Sequence, residues 1–379
     1  MSRATLASRL LHWFDRNKRD LPWRREPRDP YHVWLSEVML QQTQVTTVIP
    51  YFERWLRRFP TLEALAAAPL DEVLKLWEGL GYYARARNLH ATAQIIARDH
   101  GGRLPETVEA LMALPGIGRY TAGAIASLAF GARVPALDGN VRRVLSRVFG
   151  LRRPTQAELW ALAESLLPHR RAGAFNEALM ELGATVCAPR APQCPTCPLR
   201  AMCRAYSEGN PEAYPAKPAK RATPSYRALT VLLVDEAGRV LLGRRPRHGL
   251  LGGLWEFLSS ELRAPTADGQ LSRAYQPIRP TAARAFTDDA PDLAELILHR
   301  TGLKVTPRRA ARLGVVKHAF THFKLTRQVW LVRLPSPGAH PRQVNGYDRL
   351  IWAAPEEVER LALTRSDRRI WELYRARSP

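Results

Sequence analysis

All four cysteines of this 379-residue chain fall within 17 positions, in CAPRAPQCPTCPLRAMC from Cys187 to Cys203. Thiols placed at random would scatter, so the fold must gather Cys187, Cys194, Cys197 and Cys203 around one object. Disulfides are one alternative, but MSRATLASRLLHWFDRNKRD lacks the apolar stretch of a secretory signal, which makes a reducing cytoplasm the expected compartment. Metal chemistry is then the better account. Zinc sites usually carry two short C-x2-4-C knuckles, whereas here there is one, Cys194-x2-Cys197, flanked by gaps of six and five residues. C-x6-C-x2-C-x5-C leans towards a [4Fe–4S] cluster, with zinc and unmetallated thiols as the alternatives.

The charge balance indicates what such a centre serves. Lys and Arg number 57 against 35 Asp and Glu, a formal charge of +22 that calls for a polyanionic partner. Nucleic acid is the first reading; ribosomal and membrane-surface binding stay open. No run of 18 apolar residues exists to span a bilayer. At this length two domains are expected. TLASRLLHWFDRNKR sets Leu6, Leu10, Trp13 and Phe14 on one helical stripe, and DEVLKLWEGLG and VEALMALPGIG read as short helices stopped by glycine. After the cysteines, residues 208–225 are rich in Pro, Ala and Lys without apolar period and read as a linker. Beyond it the period changes: YRALTVLLVDEAGRVLLGRRP reads as two strands around a turn and THFKLTRQVWLVRL as another. The expectation is an all-α domain over 1–207 followed by an α+β domain over 226–379.

Within 111–130, LMALPGIGRYTAGAIASLAF, a helix ends at Leu114-Pro115, Gly116 and Gly118 permit a tight turn with exposed amides, and a second helix starts whose N-terminus can receive a phosphate. This is a helix-hairpin-helix signature; an ordinary αα-hairpin is the alternative. Ala122, Gly123, Ala124 and Ala126 suit close helix packing. Two carboxylates stand in contrasting settings. Glu37 lies in the apolar helical stretch YHVWLSEVMLQQTQV, where burial raises a carboxyl pKa and keeps a proton available. Asp138, in VPALDGNVRRVLSRV, precedes a helix whose dipole and neighbouring arginines are expected to keep it ionised. The plain alternatives are a core carboxylate paired to an arginine and a helix cap. Together the two acids describe a glycosidic-bond site, one protonating the leaving group and the other shielding an oxocarbenium-like sugar.

WLSEVMLQQTQV, LPGIGRYTAGAI, LDGNVRRV and the cysteine loop, in that order along the chain, resemble the MutY family of adenine DNA glycosylases. The resemblance covers nearly the whole chain, and GLLGGLWEF (249–257) and HAFTHFKL (318–325) extend it into the family's C-terminal, Nudix-like domain. It implies a helical helix-hairpin-helix glycosylase domain with a [4Fe–4S] loop at 187–203 and a lesion-recognition domain. It further implies removal of adenine mispaired with 8-oxoguanine or guanine in double-stranded DNA, by a monomer in the bacterial cytoplasm, associated with the nucleoid. Endonuclease-III-like relatives carry a lysine nucleophile where this chain has Tyr120, so a monofunctional enzyme is expected. On the same resemblance Glu37 protonates adenine N7, Asp138 stabilises the C1′ cation, and Tyr120 and Asn140 position the pair. Arg19, Trp23 and Glu177 line the adenine pocket. Gln42 and Tyr82 form the minor-groove wedge, with a packed loop aromatic as the alternative for Tyr82.

Phe320, Thr321 and His322 stand where the family has a Phe-Ser-His loop that reads 8-oxoguanine. The threonine keeps the hydroxyl but adds a methyl and a stiffer χ1, which bears on the strength of discrimination. The Nudix resemblance raises nucleotide pyrophosphatase activity as a competing function. PDLAELILHRTGL, however, offers only Glu295 where that chemistry needs a cluster of metal-binding glutamates. A non-catalytic iron–sulfur DNA-binding protein is the third reading.

Overall fold

The computed structural model describes residues 3–216, 223–260, 293–306, 310–334, 341 and 345–377. The chain forms two compact units, Met1–Ala68 with Arg87–Lys220, and Pro69–Ala86 with Arg221–Pro379. Residues 69–86, expected within the helical domain, thus group with the second unit. The helices preceding the sheet are α1 (Arg3–Asn17), α2 (Pro30–Leu40), α3 (Val45–Arg58), α4 (Leu62–Ala67), α5 (Leu70–Leu76), α6 (Ala84–Asp99), α7 (Val108–Met112), α8 (Arg119–Ala129), α9 (Gly139–Val148), α10 (Gln156–Leu166), α11 (Ala172–Thr185) and α12 (Arg204–Ser207).

In the first unit α1 buries Leu6, Leu10 and Phe14 against α9, α10 and α11, while Trp13 sits partly buried at the margin. Full burial of each such side chain is worth roughly 1.5–3 kcal/mol, so this stripe anchors the chain's start to the helix that carries Glu177. Helix starts follow local chemistry. Asp29 caps α2 by accepting from Tyr31 N at 2.7 Å, with Pro30 at the first helical position. Thr155 and Glu158 form a capping box at α10. The small residues of α8 do permit close approach: a Cβ on Gly123 would lie 2.3 Å from the Pro135 carbonyl oxygen.

The expected linker begins with ordered structure rather than free chain. A 3-10 turn at Pro211–Ala213 leads to Tyr214, only 8% exposed, whose carbonyl accepts from Arg147 Nε at 3.2 Å. An apolar period is absent because a buried arginine, not a greasy stripe, fastens this stretch. Residues 217–222 of the linker lie outside the described residues.

The second unit holds a mixed six-stranded sheet, with β1 (Ser225–Val234), β2 (Val240–Arg244), β3 (Trp255–Ser259), β4 (Ala311–Ala319), β5 (Lys324–Arg333) and β6 (Arg349–Ala353) in the order β4-β5-β1-β3-β2-β6. β1 and β5 run parallel, and the other pairs antiparallel. Leu229, Val231 and Leu233 face α13 (Leu293–Thr301), whereas Leu232 and Val234 face α15 (Arg365–Arg375), which follows α14 (Pro355–Arg360). Coverage of both faces explains why β1 reads as a continuous apolar run. β4 and β5 meet at Phe320–Phe323, the tip that carries Thr321 and His322.

Candidate active site

Glu37 projects from α2 in the first unit and is 6% exposed. Its hydrogen bond comes from the Tyr120 hydroxyl of α8 at 2.6 Å rather than from an arginine. Burial pushes its carboxyl up to about 7; the Tyr120 bond opposes this, and the Asp138 and Glu177 carboxylates reinforce it. Glu37 is thus a buried acid with a carboxyl poised near neutrality that accepts from the Tyr120 hydroxyl. Tyr120 also lies 3.7 Å from Met180 Sδ.

Asp138 caps α9, as the plain alternative proposed, with Oδ1 accepting from Val141 N at 2.6 Å and Oδ2 from Asn140 Nδ2 at 2.8 Å. Burial raises its pKa and outweighs the helix amides, Asn140 and Arg143. A sequence flanked by arginines does not reveal that the carboxyl itself leaves water. Asn140 is fixed in turn by Arg143, whose Nη2 donates to Asn140 Oδ1 at 2.8 Å and to Gly183 O at 2.7 Å. Arg143 Nε reaches Cys187 O at 2.8 Å, so one guanidinium ties the cysteine loop to the Asn140–Asp138 pair. Gly183 is required here: a Cβ would meet Asn140 Cβ at 2.5 Å.

The expected pocket residues part company. Glu177 and Glu181 stack one turn apart on α11, a like-charge pairing that only cations can stabilise. Arg28 Nη2 and Arg24 Nε bind Glu177 at 2.8 and 3.1 Å, and Arg24 Nη2 binds Glu181 at 2.9 Å. Arg19 grips Glu181 at 2.6 and 2.9 Å, so in this conformation it serves an ion pair rather than an open pocket. Burial pushes Glu181 up, but Arg19 and Arg24 outweigh it and its pKa is lowered. Trp23 is buried edge-on against Phe52 at 5.4 Å. Arg24, Arg28, Glu181 and Arg143 were not singled out from sequence; the basic density of RNKRDLPWRREPR was the available signal for the first two.

Around the hairpin, Gly116 has φ +76°, and a Cβ there would strike Asn88 at 2.6 Å. Gly118 caps α8 with extended backbone, no side-chain cap and open space where a Cβ would stand. Gln42 is exposed and left-handed, φ +57°. In the second unit Tyr82, φ +47°, is 38% exposed and its hydroxyl bonds to that of Thr321. Phe320 stacks on Phe323 at 4.4 Å and lifts exposed Thr321 and His322 to the turn's tip. A wedge residue and a lesion-loop residue, 239 positions apart, are thus brought together.

The cysteine thiols line one hollow together with Val144, Leu182 and Val186. Among the described residues no three metal-binding side chains are grouped as a single ion would require. Arg147 Nη1 lies 3.3 Å from Cys187 Sγ, and burial pushes the Cys197 thiol up to about 11. Four thiols around a shared apolar hollow, with a guanidinium beside one of them, fit an anionic multi-iron cluster that would take their protons' place. Among the described residues no helix is long and apolar enough to cross a membrane.

Residues 35–169 match the family model described as HhH-GPD superfamily base excision DNA repair protein, and residues 229–373 match the NUDIX domain. The adenine DNA glycosylase of Rattus norvegicus is 37% identical over 96% of this chain and 77% of that protein. The human protein of that name is 35% identical, covering 98% of this chain and 74% of its own. That of Schizosaccharomyces pombe is 30% identical over 93% and 86%. A solved thermostable thymine-DNA glycosylase superposes on 54% of this chain and 97% of its own with TM-score 0.51 and 33% identity.

Proposed function

The chain belongs to the adenine DNA glycosylase family, and we propose that it is a monofunctional enzyme hydrolysing the N-glycosidic bond of adenine opposite 8-oxoguanine, or guanine, in duplex DNA. The observation that carries this reading is the Tyr120 hydroxyl donating at 2.6 Å to a buried Glu37 poised at about 7. A general acid is most effective when its pKa lies near the working pH.

Adenine cannot react inside the stack, so it is flipped out while Gln42 and Tyr82 support the gap. Glu37 delivers its proton to adenine N7, making the base a leaving group, and the resulting carboxylate then accepts a proton from the attacking water. Asp138, held on both oxygens, faces the positive charge that develops at C1′. Tyr120 occupies the hairpin position of a lysine nucleophile and cannot form a Schiff base, which supports an abasic product without strand cleavage. Cys187, Cys194, Cys197 and Cys203 would hold a [4Fe–4S] cluster. When bound it supplies a structural cross-link, since base excision transfers no electrons. The paired hydroxyls of Tyr82 and Thr321 support reading of the opposing base by the second unit.

The test is a single-turnover assay on duplexes with adenine opposite 8-oxoguanine, guanine or thymine, with and without alkali. Breaks only after alkali, fastest opposite 8-oxoguanine, are expected. Breaks without alkali would refute the monofunctional assignment, and binding without breaks in any duplex would refute the enzyme.

A further inference from the structure

We infer that a basic trench beside Asp138 holds backbone phosphates of the DNA duplex outside the flipped nucleotide, a reading that rests on the proposed function. The trench has a volume of about 620 Å³ and runs along Gly139 and Arg142 of α9 and Arg153, opposite Pro189 of the cysteine loop and Tyr214–Pro215. Arg143 and Arg147 also line it, but carbonyls of residues 183–189 already occupy their guanidinium groups. Arg142 and Arg153 are different. Neither side chain has a hydrogen-bond or ion-pair partner among the described residues, and Arg142 Nε is buried with no acceptor.

A buried guanidinium N–H without an acceptor is costly, and an anionic ligand in the trench would relieve that cost. The wall also carries an acid, Glu212, whose Oε1 accepts from Ala191 N at 2.9 Å. Gly139 opens the ten-residue α9, so its first-turn amides and dipole add to the positive field. The volume suits a chain segment better than a single ion. Because Gly139 follows Asp138 directly, a strand whose sugar meets Asp138 continues into this trench, and its phosphates meet two unspent arginines. Free oligophosphate shares the same chemistry and is the competing occupant.

The experiment uses the full chain and its Arg142→Gln, Arg153→Gln and double variants, with the double Arg→Lys variant as a charge-preserving control. Affinity for an undamaged fluorescent duplex is measured by anisotropy from 50 to 300 mM KCl, and inorganic tripolyphosphate is titrated separately. Each lost phosphate contact lowers the slope of log K against log salt by about 0.9, so the double glutamine variant loses about 1.8 and binds roughly tenfold or more weakly at moderate salt. The lysine variant retains the slope. An unchanged slope in the double glutamine variant, with its thermal unfolding intact, overturns the inference. If the double variant fails to fold, unchanged slopes in both single variants overturn it equally. Tight tripolyphosphate binding lost in the variants while the DNA slope stays constant also overturns it, in favour of a small-anion site. Undamaged duplex undergoes no chemistry, so a protein that shows these slopes yet releases no adenine would sink the proposed function and leave the trench standing.

Discussion

Glu37→Gln is expected to abolish cleavage and, above neutral pH, to make the protein more stable. The buried carboxyl titrates at about 7 when folded against an ordinary value of 4.5. A carboxyl whose folded pKa is raised binds protons more tightly in the folded state, so ionisation opposes folding as pH climbs from 4.5 to 7 and opposes it fully above 7. At 1.36 kcal/mol per pKa unit, the 2.5-unit difference between these two values amounts to about 3 kcal/mol at pH 8.5 and about 1 kcal/mol at pH 5. Glutamine keeps an oxygen for the Tyr120 hydroxyl and carries no charge, so it removes this penalty at nearly constant shape. Denaturant unfolding of both proteins at the two pH values is the assay, with the stability gap widening by about 2 kcal/mol towards pH 8.5. A gap independent of pH, or a wild type more stable at pH 8.5, would refute the burial argument and with it the claim that Glu37 stores a proton.

Tyr120→Phe removes a donor that favours ionised Glu37. The carboxyl pKa should rise further, moving the alkaline limb of the single-turnover pH profile upward; a downward shift would contradict the bond. Arg143→Gln strips donors from Asn140, Gly183 and Cys187 and is expected to slow base release at least about tenfold and to lower stability by about 2–5 kcal/mol, read by rapid quench and denaturant unfolding. Gly183→Ala drives a methyl into Asn140 and should cost about 1–3 kcal/mol of stability together with cleavage rate; retention of both would show that the close approach is dispensable. Thr321→Ala removes the hydroxyl bonded to Tyr82, and the preference for 8-oxoguanine over guanine opposite adenine should fall about tenfold, as competing duplexes in one tube would reveal.

Local signals carried much of this structure. The α1 stripe, the glycine turn between α7 and α8 and the strands β1, β2 and β5 all follow from periods and punctuation within a few residues. Glu37 was legible because its apolar neighbours adjoin it in sequence. The pairings that span long separations were not. Glu177 meets Arg28 across 149 residues, and Glu181 meets Arg19 across 162, with nothing local to couple them. The parallel pairing of β1 with β5 likewise depends on the return of the chain, not on either strand's composition. Residues 69–86 read as one more helical segment, and only the packing of α5 and Tyr82 shows which unit they join. The burial that raises the Asp138 pKa was not legible for a related reason, since charge can be counted along a chain but desolvation cannot.

The cysteine loop constrains more than its own hollow. Its carbonyls, rather than its sulfurs, do the reaching: Cys187 O accepts from Arg143 and Arg147, Ala188 O and Pro189 O from Arg147. Arg147, 2% exposed, would be an expensive buried cation unless those acceptors stood in fixed positions. A cluster held at the four cysteines, as proposed, would fix those carbonyls by cross-linking the loop at four side chains. Once fixed, the same loop sets Arg143, Arg143 sets Asn140, and Asn140 donates to the Asp138 oxygen that the α9 amide leaves free. On the proposed function, a cluster bound by these four thiols would thereby set how Asp138 is aimed, and a chain that lost it is expected to lose that orientation before it lost any reacting group.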